Sequence, residues 1–302
     1  MAINDNIKGA ILMSLAMASF TINDAMVKLV TDDLTTGQIM FIRGAITSVL
    51  ILLVAWRMKA LRPLKTVLQP WFMLRTAGEI GASITYIHAL SKIPLPNASA
   101  ILQALPLAVT MGAALLLGEQ VGWRRWSAIT VGFVGVMIII RPGAEGFTAA
   151  SLLVVGSVIT AATRDIATKK IGPEVPSLFI SATTSVTITI VGAFLIEPFG
   201  GWNPVPLDDL GELAFGSVML FAGYQTLIMA MRTGEISFIA PFRYTSLIWA
   251  IMLGLFLLGD IPDIWMLTGS AIVVSAGLYA FYRETVLQRR RLAEIENNLT
   301  VS

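Results

Sequence analysis

Long apolar runs, each ended by a turn residue or a charged residue, follow one another along almost the whole chain. Each run has about the 20 residues that an α-helix needs to cross a bilayer. The connections are short, apart from the proline- and acid-rich stretch at 197–210. The pattern predicts ten membrane-spanning helices, at 8–29, 37–56, 70–91, 95–117, 122–140, 149–169, 177–196, 211–231, 236–258 and 263–282.

The composition indicates that lipid is the solvent for these helices. Of the 302 residues, 56% are hydrophobic and only 13% are charged, whereas soluble domains are about a quarter charged. We therefore predict an all-α integral membrane protein, and we exclude a large soluble domain and a nucleic-acid partner. The lack of cysteine excludes thiol chemistry and cysteine-ligated metals. The first run has no small-residue cleavage site, which favours a retained span over a signal peptide.

Basic residues between the runs predict the orientation, because cytoplasmic loops are enriched in lysine and arginine. With the N-terminus in the cytoplasm, fourteen basic residues lie inside and two, Lys92 and Arg141, lie outside. The inside set is Lys8, Arg57, Lys59, Arg62, Lys65, Arg124, Arg125, Lys169, Lys170, Arg232, Arg283, Arg289, Arg290 and Arg291. We expect an inner-membrane protein with both termini in the cytoplasm and the 197–210 stretch outside.

The two halves of the chain repeat each other at an offset of 141 residues. The aligned positions are Asp24 with Asp165, Lys28 with Lys169, Ala89 with Ala230, and 116–119 with 257–260. Each half holds five predicted spans, an odd number, so the second half should insert upside down. Inverted repeats are typical of secondary transporters, whose substrate site lies near the midplane where the repeats meet.

The chain resembles the EamA-type members of the drug/metabolite transporter superfamily over residues 8–283. The resemblance is carried by Pro106 with the turn at 118–119, by the stretch 240–244 (APFRY) with the turn at 259–260, and by the ten-span length. It implies a first repeat at 8–142, a second at 149–283 and a cytoplasmic tail at 284–302. It also implies alternating access and the movement of small metabolites, often by export.

Two arginines predict the chemistry of the substrate. Arg43 and Arg243 have no acidic residue three or four positions away, so each must contact water, a carbonyl group or an anionic ligand. Arginine binds a carboxylate through two parallel hydrogen bonds. We expect a site that includes further polar and aromatic residues inside the spans, namely Tyr86, Gln103, Tyr224, Gln225, Tyr244 and Trp249.

This site favours amino acids or related carboxylate-bearing amphipathic metabolites, exported by a monomer. Relatives of the family leave S-adenosylmethionine, riboflavin, nucleoside-like compounds and drugs open as substrates. A structural or lipid-handling membrane protein is the alternative from another class. We expect no enzyme and no cofactor, because the sequence has no GxxxxGK[ST] loop, no HExxH and a single histidine.

Three acid–base pairs stand at the i,i+4 spacing that puts both side chains on one helix face. They are Asp24 with Lys28, Arg75 with Glu79, and Asp165 with Lys169. Ionisable groups are costly inside a membrane, so each pair is interpreted either as a structural pair or as a gating or coupling group on the transport path. Asp24 and Asp165 should lie at opposite depths.

Small residues and turn residues predict two structural features. Gly132, Gly135, Gly269, Ser275 and Gly277 should form a packing scaffold in the fifth and tenth spans, at the periphery of the bundle. Gly118 and Gly259 should each end a helix, with Glu119 and Asp260 as caps for the next helix.

Overall fold

A computed structural model describes residues 3–119, 121–142, 148–172, 174–233 and 236–301, without the side chains at 3, 4, 232, 236, 237 and 284–301. Arg232, Arg289, Arg290 and Arg291 of the predicted inside set therefore lie outside the described side chains. All regular structure in the described ranges is helical, which confirms the all-α prediction. The helices are α1 (Ile3–Leu29), α2 (Thr36–Arg57), α3 (Pro70–Leu90), α4 (Leu95–Leu102), α5 (Leu105–Leu117), α6 (Trp123–Ile140), α7 (Ala149–Lys170), α8 (Ser177–Leu195), α9 (Leu207–Thr233), α10 (Ile236–Ile239), α11 (Thr245–Leu253) and α12 (Ile264–Val301).

Within the described residues, nine helical segments are long and apolar enough to cross a membrane. They correspond to all the predicted spans except 70–91. Helix α3 covers that run and its 21 residues are enough to cross, but it carries Arg75 and Glu79 and is less apolar. The chain is a multi-pass helical membrane protein.

The fourth and ninth predicted spans correspond to the segments Leu95–Leu117 and Ala240–Leu258, but neither is one continuous α-helix. Helix α4 ends at Leu102 because Pro106, in the first turn of α5, has no N–H for the carbonyl of Leu102. In the second half, a 3₁₀ segment that contains Pro241 (Ala240–Tyr244) separates α10 from α11. Backbone that leaves the α-helix at membrane depth is tolerated where it is buried in protein or lines a cavity.

The last helix is longer than predicted, since α12 continues from the membrane span to Val301. The sequence contains neither glycine nor proline after Gly277, so no residue type that usually ends a helix stands at 282. The predicted tail at 284–302 is thus helical over its described backbone.

Helices from the two halves of the chain pack in pairs: α1 with α9, α2 with α8, α3 with α7, and α6 with α12. Small residues allow the close approach in the α2–α8 pair. A Cβ atom on Gly44 would lie 2.6 Å from Oγ1 of Thr189, and one on Gly192 would lie 2.5 Å from the backbone nitrogen of Phe41. Close approach of glycine-bearing helices is a usual source of packing energy in membranes.

The predicted scaffold is confirmed for the glycines of α6 and α12. A Cβ atom on Gly135 would lie 2.9 Å from the carbonyl oxygen of Gly269, and one on Gly269 would lie 2.6 Å from that of Gly135. Gly132 and Gly277 also lie against side chains, whereas Ser275 is exposed.

The predicted helix ends at Gly118 and Gly259 are confirmed, because both residues adopt the left-handed conformation, with φ of 68° and 70°. The cap predicted for Asp260 was wrong. Its Oδ2 accepts a hydrogen bond from the N–H of Leu95 in the other half of the chain, at 3.0 Å. The helix that follows it, α12, is capped instead by Asp263, whose Oδ1 accepts from the N–H of Met266 at 2.6 Å. Glu119 is exposed.

The loops predicted to lie outside meet at one end of the bundle. Asn203 of the 197–210 stretch donates to the carbonyl of Asp33, and Phe199 packs on His88 near the end of α3. Arg141, after α6, forms an ion pair with Asp263. Two loops predicted to lie inside, 58–69 and 171–176, contact each other through a separate hydrophobic cluster around Phe72 and Val175. The connections therefore separate into two sets, as the alternation of spans requires.

Candidate functional site

A polar group between α1, α2 and α3, which we call the α1 cluster, consists of Asn23, Asp24, Arg43 and Tyr86. Asp24 accepts hydrogen bonds from Nδ2 of Asn23, at 2.9 Å, and from the hydroxyl of Tyr86, at 3.1 Å. Arg43 Nη1 donates to Oδ1 of Asn23 at 3.4 Å. Asn23 thus stands between the carboxylate and the guanidinium.

A second group, which we call the α7 network, joins α3, α7 and α8. Arg164 donates to Glu79 at 3.2 Å and to Asp165 at 2.8 Å. Glu79 also lies 3.8 Å from Arg75, so the predicted i,i+4 pair is confirmed and gains a second arginine. Arg75 in turn donates to Oγ1 of Thr184. Basic and acidic side chains alternate along the α7 network, and this alternation offsets part of the free-energy cost of burying the charges.

The two groups lie at different depths along α3. Tyr86 contacts Asp24, and Glu79 joins the network that holds Asp165. Residues 79 and 86 are two helical turns apart, about 10 Å along the axis. The two aspartates therefore lie at different depths along the bundle.

The predicted pairing of Asp24 with Lys28 was wrong. Lys28 Nζ donates to the carbonyls of Leu90, at 2.6 Å, and Ile93, at 3.1 Å. Leu90 is the last residue of α3, where helix geometry leaves the carbonyl without an intrahelical partner and a cation is favourable, and Ile93 lies in the turn that follows. Asp260 accepts a hydrogen bond from the N–H of Leu95, so Lys28 and Asp260 hold the α3–α4 turn from two sides. We call this arrangement the turn clamp.

The pairing of Asp165 with Lys169 was also wrong. Asp165 pairs with its sequence neighbour Arg164, and Lys169 is exposed. A guanidinium with its planar fork reaches both Asp165 and Glu79, which a lysine at the end of α7 does not.

An aromatic surface adjoins the α1 cluster. The rings of Phe20 and Tyr224 meet edge to face, with centroids 5.3 Å apart. Gly223 makes room for this contact, because a Cβ atom there would lie 2.7 Å from the ring of Phe20. Phe20 stands one turn before Asp24 on α1, so the aromatic and charged groups share one helix face.

The remaining predicted substrate residues lie on α4, α9 and α11 or between them. Gln103 is buried and its amide donates to Ser246 Oγ at 2.7 Å. Among the described residues, the Tyr244 hydroxyl and Trp249 Nε1 are buried without a hydrogen-bond partner, and Tyr244 lies against Gly277 of α12. Gln225 is half-buried, and Arg243 is exposed and forms no described contact with the α1 cluster.

Three important residues were missed by the sequence predictions: Phe20, Asn23 and Arg164. A signal for two of them was present, because Asn23 and Arg164 are equivalent at the 141-residue offset and each bonds the aspartate that follows it. Among the described residues, no group of three histidine, aspartate or glutamate side chains is arranged to hold a metal ion.

Known transporters are similar to this chain over most of its length. The S-adenosylmethionine uptake transporter of Rickettsia bellii is 28% identical, covering 92% of this chain and 94% of that protein. The riboflavin transporter of Vibrio cholerae is 27% identical, over 94% and 96%. The pseudopaline exporter of Pseudomonas aeruginosa is 25% identical, over 89% and 94%.

A solved crystal structure with 19% sequence identity has the same fold, with a TM-score of 0.62 over 93% of this chain and 98% of that one. The EamA-like transporter family matches residues 7–141 and again residues 148–282, two segments that begin 141 residues apart. Its members are transporters rather than enzymes, which agrees with the sequence prediction. This chain belongs to the EamA-like transporter family, of the drug/metabolite transporter type.

Proposed function

We propose that the chain is a secondary transporter of ten spans, arranged as two inverted five-helix repeats that alternate access to a central site. The helix pairs support this architecture. The offset of 141 residues makes α1 equivalent to α7 and α3 equivalent to α9, so the α1–α9 pair and the α3–α7 pair are equivalent. It also makes α2 equivalent to α8 and α6 equivalent to α12, so in these two pairs each helix packs against its own counterpart. Ser48 lies 3.2 Å from Thr189, its own counterpart at this offset, as residues beside a two-fold axis do.

We expect the transporter to work as a monomer in the inner membrane, with both termini in the cytoplasm. The ratio of basic residues supports this orientation. The grouping of the described parts of the outer loops at one end of the bundle agrees with it. Export is the direction we propose, as in the pseudopaline exporter of Pseudomonas aeruginosa, although the Rickettsia bellii relative is an uptake transporter.

The substrate that the site favours is a small amphipathic metabolite with a carboxylate. The observation that carries this proposal is that Arg43, Asp24, Tyr86 and Tyr224 are partly accessible although they lie between packed helices. These charged and aromatic side chains are therefore open to contact with a ligand. Arg43 is the better carboxylate anchor, because Arg243 is exposed. Gln103, Gln225, Tyr244 and Trp249 would line the path along α4, α9 and α11.

S-adenosylmethionine and riboflavin are the alternatives that the relatives support. S-adenosylmethionine carries an α-amino-acid end and an aromatic base, so the proposed site would also fit it. Riboflavin has an aromatic ring system but no carboxylate, so it would use the aromatic surface without Arg43.

We propose that the α7 network, with Arg75, Glu79 and Asp165, and the lysines Lys28 and Lys169 act in gating. Lys28 holds the outer turn clamp, and Lys169 is its equivalent in the second half of the chain. In alternating access, the turn clamp would release as Lys169 forms an equivalent contact in the second half of the chain, and it would form again when the transporter returns.

The test is saturable flux in proteoliposomes that contain the purified protein, with L-phenylalanine, S-adenosylmethionine and riboflavin as substrates. Arg43→Gln should weaken binding of the carboxylate-bearing substrates tenfold to a hundredfold, about 1.5–3 kcal/mol. Arg243→Gln is the matched control and should keep most of the flux. If folded protein gives no saturable flux with any of the three, a structural or lipid-handling role replaces the transporter proposal.

A further inference from the structure

We propose that Asn23, Asp24 and Arg43 form a receptor for the head group of an α-amino acid, in which Asp24 binds the ammonium and Arg43 binds the carboxylate. The proposal rests on the transporter function proposed above and makes its substrate specific. It gives Asp24 a role in binding instead of gating, and it gives Asn23 the role of a spacer that keeps the two charges apart.

The separation of the two charges is the first observation. Among the described side chains, no ion pair within 4.0 Å joins Asp24 to Arg43, although other acidic and basic groups of the bundle interior do pair. The amide of Asn23 contacts both, with its nitrogen toward the carboxylate and its oxygen toward the guanidinium. Opposite charges in a membrane interior gain most by direct contact, so their separation leaves each charge able to bind another group.

The distance across this arrangement suits a zwitterion. The path through the amide, with hydrogen bonds of 2.9 Å and 3.4 Å, limits the separation of carboxylate and guanidinium to about 9 Å. An α-amino acid that donates from its ammonium and accepts at its carboxylate spans about 8 Å between the two protein atoms. An α-amino acid is therefore long enough to reach from Asp24 to Arg43.

The aromatic surface supplies a place for the rest of the ligand. Phe20 lies one helical turn from Asp24 on the same face of α1, and its ring meets that of Tyr224. Both rings are half-buried, so part of each faces open space. An amino acid with an apolar or aromatic side chain would lay that side chain here while its head group binds between Asp24 and Arg43.

The equivalent positions in the second half of the chain do not form such a receptor. Arg164 replaces Asn23 and pairs directly with Asp165, at 2.8 Å, and with Glu79. Thr184 replaces Arg43 and accepts a hydrogen bond from Arg75. The charges there are already paired, so the repeat yields one receptor rather than two.

The test uses three ligands with the same phenyl group: L-phenylalanine, 3-phenylpropionate, which lacks the ammonium, and 2-phenylethylamine, which lacks the carboxylate. Their affinities are measured on purified protein by isothermal titration calorimetry, together with S-adenosylmethionine and riboflavin. For the unmodified protein, each phenyl compound that lacks one charge should bind at least tenfold more weakly than L-phenylalanine.

Substitutions then assign each charge to a residue. Asp24→Asn should weaken the binding of L-phenylalanine about tenfold and leave the affinity for 3-phenylpropionate unchanged. Arg43→Gln should weaken the binding of L-phenylalanine and leave the affinity for 2-phenylethylamine unchanged. Asn23→Ala lets Arg43 approach Asp24, so the three phenyl compounds should then bind with equal, low affinity. Asp165→Asn, the matched control at the equivalent position, should change the three affinities by a common factor.

The receptor is overturned if Asp24→Asn, in protein that stays monodisperse, weakens L-phenylalanine and 3-phenylpropionate by the same factor. It is also overturned if riboflavin binds and neither L-phenylalanine nor S-adenosylmethionine does, a result that leaves the transporter function intact. If none of the five compounds binds and none gives flux, the proposed function fails together with the receptor. Retained discrimination among the phenyl compounds in Asn23→Ala would remove Asn23 as the spacer.

Discussion

Replacing Lys28 with methionine tests the turn clamp at the end of α3. Methionine keeps most of the apolar stem of lysine and removes the ammonium that donates to the carbonyls of Leu90 and Ile93, at 2.6 and 3.1 Å. A hydrogen bond from a charged donor contributes about 1.5–3 kcal/mol. Lys28 is half-buried, so water replaces part of the interaction, and we expect a loss of about 2 kcal/mol in unfolding free energy.

The assay is thermal unfolding of the purified protein in detergent, followed by intrinsic tryptophan fluorescence. For a chain of this length, about 2 kcal/mol corresponds to a fall in Tm of about 3 °C. A second readout uses a Ser91→Cys variant, which carries the sole cysteine in the chain. Labelling of this position by a membrane-impermeant maleimide should be faster when Lys28 is methionine, because the α3–α4 turn opens more often.

Lys169→Met is the matched control. Lys169 is equivalent to Lys28 at the 141-residue offset but is exposed, so its replacement should change the Tm by less than about 1 °C. The reasoning is refuted if Lys28→Met melts at the temperature of the unmodified protein and labels at the same rate. It is refuted equally if Lys169→Met loses as much stability as Lys28→Met.

Three further predictions address packing, charge and topology. Gly192→Ala should destabilise the protein by about 1–3 kcal/mol, because its Cβ atom would lie 2.5 Å from the backbone of α2; Gly211→Ala, with nothing within 4 Å, should be neutral or stabilising in the same thermal assay. Arg164→Gln should lower the free energy of unfolding by about 2–3 kcal/mol. The double variant Arg164→Gln with Glu79→Gln should lose less than the sum of the two single losses, because the two residues pair at 3.2 Å. A cysteine at Asp208 should be labelled by an impermeant maleimide from outside intact cells, and labelling from the cytoplasmic side alone would contradict the predicted orientation.

The sequence by itself determined where several of the membrane-spanning helices end. The predicted ends at 29, 117 and 140 coincide with the ends of α1, α5 and α6. The left-handed glycines at 118 and 259 were also predicted correctly. These features are local, because a helix in lipid satisfies its own backbone and ends where the apolar run or a glycine ends it.

The sequence contained the signals for the breaks in the fourth and ninth runs, namely the two prolines. The high hydrophobicity of these runs nevertheless favoured the prediction of one span each. Pro106 and Pro241 each remove one backbone hydrogen bond, and the α-helix is interrupted beside each of them. Hydropathy measures the length of a span and carries little information on its continuity.

The tertiary structure decided which charged residues meet. Spacing within one helix pairs Asp24 with Lys28, yet Lys28 bonds to the end of α3 and Asp24 bonds to Tyr86. Arg164 joins Glu79 from another helix. Inside a membrane a charged side chain takes the partner that desolvation makes most favourable, and neighbouring helices supply most of the available partners. Which helices are neighbours follows from the packing of small residues across the whole bundle, which no single segment of the sequence contains.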